Sequence, residues 1–211
     1  MNFLDKVGPV ADYKHFYCEI TGVTPITWNR QIPEDVIKEK KRTAEQVERE
    51  LWREKLHYRQ DVGLFHVADG LVKMLSGGAK SWGASIPGKG KQKYSSQLNA
   101  AITLASDVVI MSKDGKKLTP ESSQVTGYER YVTKDTGRQV FIITPMVYEW
   151  TGRFALTVHN PDFKGVVLAE IVKYAGLYCG LGAWWTKYGR FEPTLFEDGG
   201  PEVHSRIADF S

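Results

Sequence analysis

From Tyr128 to Val158 the chain reads as strand-forming runs broken by turn signals at Asp135 to Gly137 and at Thr151–Gly152. Runs this short and this close together pair as antiparallel neighbours. Lys164 to Cys179 then carries Val167, Leu168, Ile171, Val172, Ala175 and Leu177 on one broad apolar stripe, which reads as a packed helix. A last strand is expected from near Gly189 to Phe196.

The first half supplies the complement. His15 to Thr21, H-F-Y-C-E-I-T, alternates apolar and polar residues up to Gly22, as a half-buried strand does. Pro33 to His57 reads as one long exposed amphipathic helix, with Pro33 in its first turn and its charges forming a solvated face. Asp69 to Leu75 reads as a short helix stopped by Gly77–Gly78, and a second short helix is expected from Ser95 to about Leu104. An apolar strand follows at Val108 to Met111. With the middle set aside, the order is strand, helix, strand, strand, helix, strand. That order predicts an α+β, ferredoxin-like antiparallel sheet core with a helical/loop insertion, helices on one face and the other face free to bind.

With 211 residues the chain can bury a core without staples, and its two cysteines, Cys18 and Cys179, are expected as free thiols. No apolar run reaches membrane-spanning length and the first residues do not read as a signal peptide, so a cytoplasmic protein with no membrane partner is expected. Twenty-eight basic against 25 acidic residues leave a net charge of +3, too small by itself to indicate an anionic partner. The distribution says more. From Gly70 to Ser106 there are five lysines and no acidic residue.

Two segments combine charge with flat rings. Between Gly176 and Phe191 the run G-L-Y-C-G-L-G-A-W-W-T-K-Y-G-R-F joins the helix to the last strand. Glycines there would let main-chain N–H groups approach phosphates. Lys187 and Arg190 would add charge, and Trp184, Trp185 and Tyr188 would stack on bases. The plainer alternative is a tight helix-to-strand connection whose tryptophans cap the core. The second segment holds Lys80, Trp82, Lys89, Lys91, Lys93 and Tyr94 in a flexible Gly/Ser/Lys loop, which either grips the backbone or is a mobile linker. Arg130 and Arg138 near the central strands are candidate ligand contacts or edge charges. Trp28 and Arg30, after the first strand, are candidate contacts or a turn with one core tryptophan.

The opening V-T-P-I-T-W-N-R at Val23 to Arg30, the loop I-P-G-K-G-K-Q-K-Y at Ile86 to Tyr94 and the glycine-rich ending after an amphipathic helix carry a resemblance. The chain resembles the repeat-associated RNA-binding (RAMP) superfamily, the backbone subunits of CRISPR interference complexes. More narrowly it is similar to small phage and prophage proteins of that type. The resemblance implies a single RRM-like domain over 1–211 with a thumb-like insertion over 60–127, no metal, and single-stranded nucleic acid bound along a row of subunits. Residues 200–211 read as a loose tail.

Catalytic signals are sparse. Gly83 to Lys89 approaches the phosphate-loop pattern, but Gly90 stands where a hydroxyl is needed and Pro87 removes an N–H donor. His15, His57, His66, His159 and His204 lack metal-ligand spacing. The expectation is therefore a non-enzymatic, sequence-nonspecific binder of single-stranded nucleic acid, DNA in phage replication or recombination, coating the strand as a homo-oligomer with no cofactor; phage origin would place it in the host cytoplasm. The alternatives are a guide-RNA-binding CRISPR-type subunit, a metal-independent endoribonuclease using His57 or His66, and a protein-interaction module acting through exposed tryptophans.

Overall fold

The computed structural model describes residues 13–38, 43–133, 135–184, 187–198 and 202–203. In chain order these form β1 (Lys14–Gly22), β2 (Ile26–Thr27), α1 (Glu34–Lys38), α2 (Ala44–Leu51) with a 3-10 turn at Trp52–Lys55, β3 (Tyr58–Arg59) and β4 (Gly63–His66). Then come α3 (Ala68–Trp82), α4 (Tyr94–Ala101), β5 (Ile102–Leu104), β6 (Val108–Ser112), β7 (Val125–Thr133), β8 (Gln139–Val147) and β9 (Trp150–Val158). The chain continues through α5 (Gly165–Tyr174), a π turn at Ala175–Cys179, β10 (Phe191–Glu197) and β11 (Glu202–Val203).

The main sheet runs β11-β10-β1-β9-β6-β4-β3, with β5 also beside β9, and every pair is antiparallel. A smaller sheet, β2-β8-β7, stands beside it. The protein is thus α+β with antiparallel sheets.

Alternation along β1 decides which face is core. Phe16, Cys18 and Ile20 are buried, while Tyr17 between them is exposed. Their partners on β9, Phe154 and Leu156, join Leu71, Met74 and Leu75 of α3 and Leu168, Ile171 and Val172 of α5 in one core. Burying each such side chain contributes roughly 1.5–3 kcal/mol. The span 60–127, expected as an insertion, supplies β4, β5 and β6 to the main sheet and α3 to its helical layer.

Gly77 and Gly78 do not end the second helix as expected; α3 runs through them to Trp82. They lie where α3 meets α5 and the π turn. A Cβ on Gly78 would meet the Ala175 Cβ at 2.7 Å, and one on Gly77 the Cys179 Sγ at 2.6 Å. Close approach of two helices offsets the propensity cost of about 1 kcal/mol per glycine. The helix stops instead at Gly83, which takes φ +71°.

The expected single helix over Pro33–His57 is two helices and a 3-10 turn. Thr43 starts α2 afresh through a reciprocal capping box with Gln46. The second short helix starts at Tyr94 and gives way at Ile102 to β5, rather than continuing to Leu104. Thr151–Gly152 is no turn either. The chain reverses at Tyr148–Glu149, and Gly152 lies inside β9, where a Cβ would come within 3.1 Å of Ile20. Of the expected loose tail, Glu202–Val203 pairs with β10, and the rest lies outside the described residues.

A buried polar staple fastens α2 to β8. The Lys55 ammonium, its side chain 6% exposed, pairs with Glu48 and donates to the Ile143 carbonyl at 2.9 Å, and the Ile143 amide donates to Glu48 at 2.7 Å. Removing one partner of such a pair leaves an uncompensated charge, whereas exchanging both for apolar residues is close to neutral. Lys55→Met should therefore lower unfolding stability by about 3 kcal/mol, and Lys55→Met with Glu48→Leu should recover most of the loss, as read by urea denaturation.

Candidate nucleic-acid interface

The π turn after α5 delivers the chain to a loop whose bends depend on glycine: Gly180, Gly182 and Gly189 take φ of +77°, +102° and +72°. A Cβ on Gly182 would stand 2.6 Å from the Thr27 carbonyl, and one on Gly189 would overlap the Leu181 carbonyl. The loop is sewn to the segment between β1 and β2. Gly189 N donates to Pro25 O at 2.8 Å, Ala183 N to Thr27 O at 3.0 Å and Arg190 N to the Thr24 hydroxyl at 2.9 Å. Leu181 N donates to Gly189 O at 2.9 Å, and Trp184 N to the Thr27 hydroxyl at 3.3 Å.

These bonds overturn one expectation. The amides of Gly180, Leu181, Ala183, Trp184, Lys187, Tyr188, Gly189 and Arg190 all donate within the protein, so they do not form a phosphate cradle. The glycines serve close backbone packing, and side chains must carry any ligand contact.

Those side chains come from two elements. Arg130, in the middle of β7, places its guanidinium carbon 3.1 Å from the Trp184 ring centroid, and Tyr188 stacks near that ring at 6.0 Å and 30°. Lys187 is exposed, its ammonium 5.7 Å from the Tyr188 ring. Burial draws the Arg130 pKa below its ordinary value, opposed by the Tyr128 and Tyr188 phenols. Arg130 Nε is buried without a hydrogen-bond partner among the described residues. Tyr128 joins this cluster although the sequence reading passed over it; strand alternation puts it on the same face as Arg130, two residues on.

The remaining expected contacts lie elsewhere. Trp28 is wholly buried, donates from Nε1 to Phe65 O at 2.9 Å and stacks on His66 at 4.7 Å, so it is core and out of a ligand's reach. Arg30 is exposed, on the His57 side of the protein. Arg138 is exposed in the β7–β8 turn, outside both strands. Arg190 is half-buried near Cys179. Trp185 lies outside the described residues.

The lysine loop is a folded turn. Ser85 bridges to Lys93, Ile86 N donates to Gln92 O at 2.8 Å, and Ile86 is 2% exposed, anchoring the turn in the core. Tyr94 is buried against Phe163, and half-buried Trp82 stacks on Tyr94 at 5.4 Å. Neither ring is a free platform. Lys80, Lys91 and Lys93 are exposed, and Lys89 is ion-paired with Asp162. Asp162 and Phe163 precede the first turn of α5, whereas the glycine loop follows the π turn at its other end, so about 15 Å of helix separates Lys89 and Tyr94 from Lys187.

His57 and His66 are neighbours, ring centroids 6.3 Å apart. Burial, then the neighbouring His57, lowers the His66 pKa from 6.5 to about 3; burial, then Arg30, lowers that of His57, with Asp107 opposing. Both rings are neutral at pH 7.

In fold, the protein is similar to a chain of the type III-B Cmr-beta complex, solved by cryo-electron microscopy bound to cognate target RNA. The TM-score is 0.50 at 12% sequence identity, and the match covers 88% of this chain and 61% of that one. The protein thus spans less than two thirds of that relative's length. The likeness is one of fold. No protein-family profile matches the sequence, and no curated protein matches it. Among the described residues, no helix is long and apolar enough to cross a membrane.

His66 makes acid the weak direction for this fold. Below pH 6.5 the unfolded chain takes up a proton at this residue that the folded chain refuses until about pH 3, so stability present above 6.5 is lost as pH falls. The loss approaches about 1.4 kcal/mol per pH unit at its steepest. Urea midpoints should drop between pH 7 and pH 5, and His66→Phe, which keeps a ring on Trp28, should remove most of that drop.

Proposed function

We propose that the protein is a RAMP-like, non-enzymatic RNA-binding subunit that holds an unpaired strand at the cluster of Arg130, Trp184, Lys187 and Tyr188. The observation that carries this reading is the shared fold with a chain of a complex bound to target RNA. Three further features support it.

First, taken in chain order, the strands β1, β6, β9 and β10 stand in the sheet as fourth, first, third, second, with α3 and α5 packed together beside them. That order supports reading these elements as a ferredoxin-like core, the RRM-like core that the sequence resemblance implies. Second, the cluster offers what an unpaired strand requires: cations for phosphates and aromatic rings for bases. Third, the backbone amides of Trp184 and Tyr188 are bonded within the protein, so little ordering of these two residues opposes binding.

RNA replaces DNA as the leading ligand, because the likeness is to a chain from an RNA-bound assembly and nothing in the fold speaks for strand coating in phage replication. Arg130 would turn from the Trp184 ring to a phosphate as a base arrives, exchanging a cation–π contact for a charge-assisted hydrogen bond. Binding as one of a row of subunits is what the sequence resemblance implies.

Fluorescence anisotropy with a uridine-rich RNA, its DNA counterpart and a duplex, between about 50 and 200 mM salt, tests the reading. Unpaired RNA should bind tightest, its log affinity falling with log salt by about 0.7 for each phosphate neutralised. Trp184→Ala should weaken binding roughly tenfold or more. Preference for duplex, or affinity indifferent to salt, would overturn the reading.

A further inference from the structure

The core accounts for only one face of the main sheet. On the other, β1 presents His15, Tyr17, Glu19 and Thr21, β9 presents Thr151, Arg153, Ala155 and Thr157, and β10 presents Glu192, Thr194 and Phe196. The register sets Tyr17 opposite Phe196 on one side and Ala155 on the other. The Tyr17 and Phe196 rings are stacked, centroids 4.8 Å apart and 10° from parallel, and Tyr17 remains 43% exposed.

From these positions we infer that this face carries a second, independent nucleobase slot, in which one base of an unpaired strand stacks on Tyr17 over Ala155. The inference rests on the nucleic-acid reading above and adds a contact to it.

Phe196 covers one side of the Tyr17 ring. On the β9 side the cross-strand neighbour is Ala155, and a single methyl is too small to cover a phenol standing off the sheet. The gap is bounded by two polar pairs: Glu19 with Arg153 at 3.1 Å and His15 with Thr157 at 3.0 Å. The apolar strip is therefore about two rings wide. A stable protein partner requires roughly 800 Å² on each side, far more than this strip offers, whereas one planar base with polar edges fits between the pairs.

The same pairs set how the slot contributes. Arg153 already faces the Glu19 carboxylate, so it neutralises few phosphates, and affinity here comes from stacking. Stacking at Tyr17 and phosphate contact at Lys187 should then separate in their salt dependence. The hydroxyl of Tyr17 has no part in this, so Phe serves in its place.

The test measures uridine-rich RNA affinity of the full chain across salt for wild type, Tyr17→Ala, Tyr17→Phe, Ala155→Leu and Lys187→Ala, with thermal melts checking that each variant is folded. Tyr17→Ala should weaken binding on the order of tenfold with the salt slope unchanged, and Tyr17→Phe should bind as wild type. Ala155→Leu, which leaves Tyr17 in place and fills the slot, should weaken binding as Tyr17→Ala does. Lys187→Ala should reduce the slope by about 0.7. If Tyr17→Ala and Ala155→Leu bind like wild type while Lys187→Ala does not, the slot is refuted and the function stands. If wild type binds no single strand, both fall. A concentration-dependent mass in sedimentation that Ala155→Leu abolishes would instead make this face a contact between copies and overturn the inference.

Discussion

The backbone bonds between the glycine loop and the Val23–Thr27 segment hold the two ends of the fold in register. Gly189 to Pro25, Ala183 to Thr27 and Val23 to Arg190 join the connection that leaves β1 to the one that enters β10. Because β1 and β10 are neighbours in the sheet, these bonds continue the ladder past its last paired residues, Gly22 and Phe191. They also require the loop backbone to come so near that only glycine fits at 182 and 189. Trp184 and Tyr188 acquire their positions as a consequence.

The small sheet depends on this arrangement at one end and on the polar staple at the other. β2 continues the same segment into β8, Arg130 reaches from β7 onto the Trp184 ring, and Lys55 with Glu48 ties β8 to α2. A cation–π contact of this kind contributes about 1–2 kcal/mol when partly desolvated, enough to hold the hairpin against the loop yet small enough, on the proposed reading, to be exchanged for a phosphate. On the proposed reading, stability and ligand contact are drawn from the same guanidinium. The Arg153–Glu19 pair on the open sheet face shows the opposite economy, since a cation held by a carboxylate leaves the neighbouring rings as the exposed surface.

Much of the strand layout was legible. Alternation in H-F-Y-C-E-I-T located β1 to within a residue at each end and put Phe16, Cys18 and Ile20 inside. The same alternation put Tyr17 outside, a signal the binding-site reading did not use. The glycines were misread for a common reason: Gly77, Gly78 and Gly152 look like breakers locally, but each marks a place where another element comes too close for a Cβ. The T-A-E-Q capping box that divides the long charged segment was present in the sequence and outweighed there by the amphipathic pattern.

By itself the sequence determined that the protein is α+β with antiparallel strands, that α5 is packed, and that aromatic rings and cations crowd into the run before β10. Those properties follow from neighbours within a few residues, whose spacing fixes which side faces the core. Only the tertiary structure decided that Trp28 and Tyr94 are interior, that the loop amides are consumed within the protein, and that Arg130 meets Trp184 while Lys89 meets Asp162. Each of these is a contact between residues far apart in the chain, made or denied by how the sheets and helices are stacked, and local spacing holds no record of that.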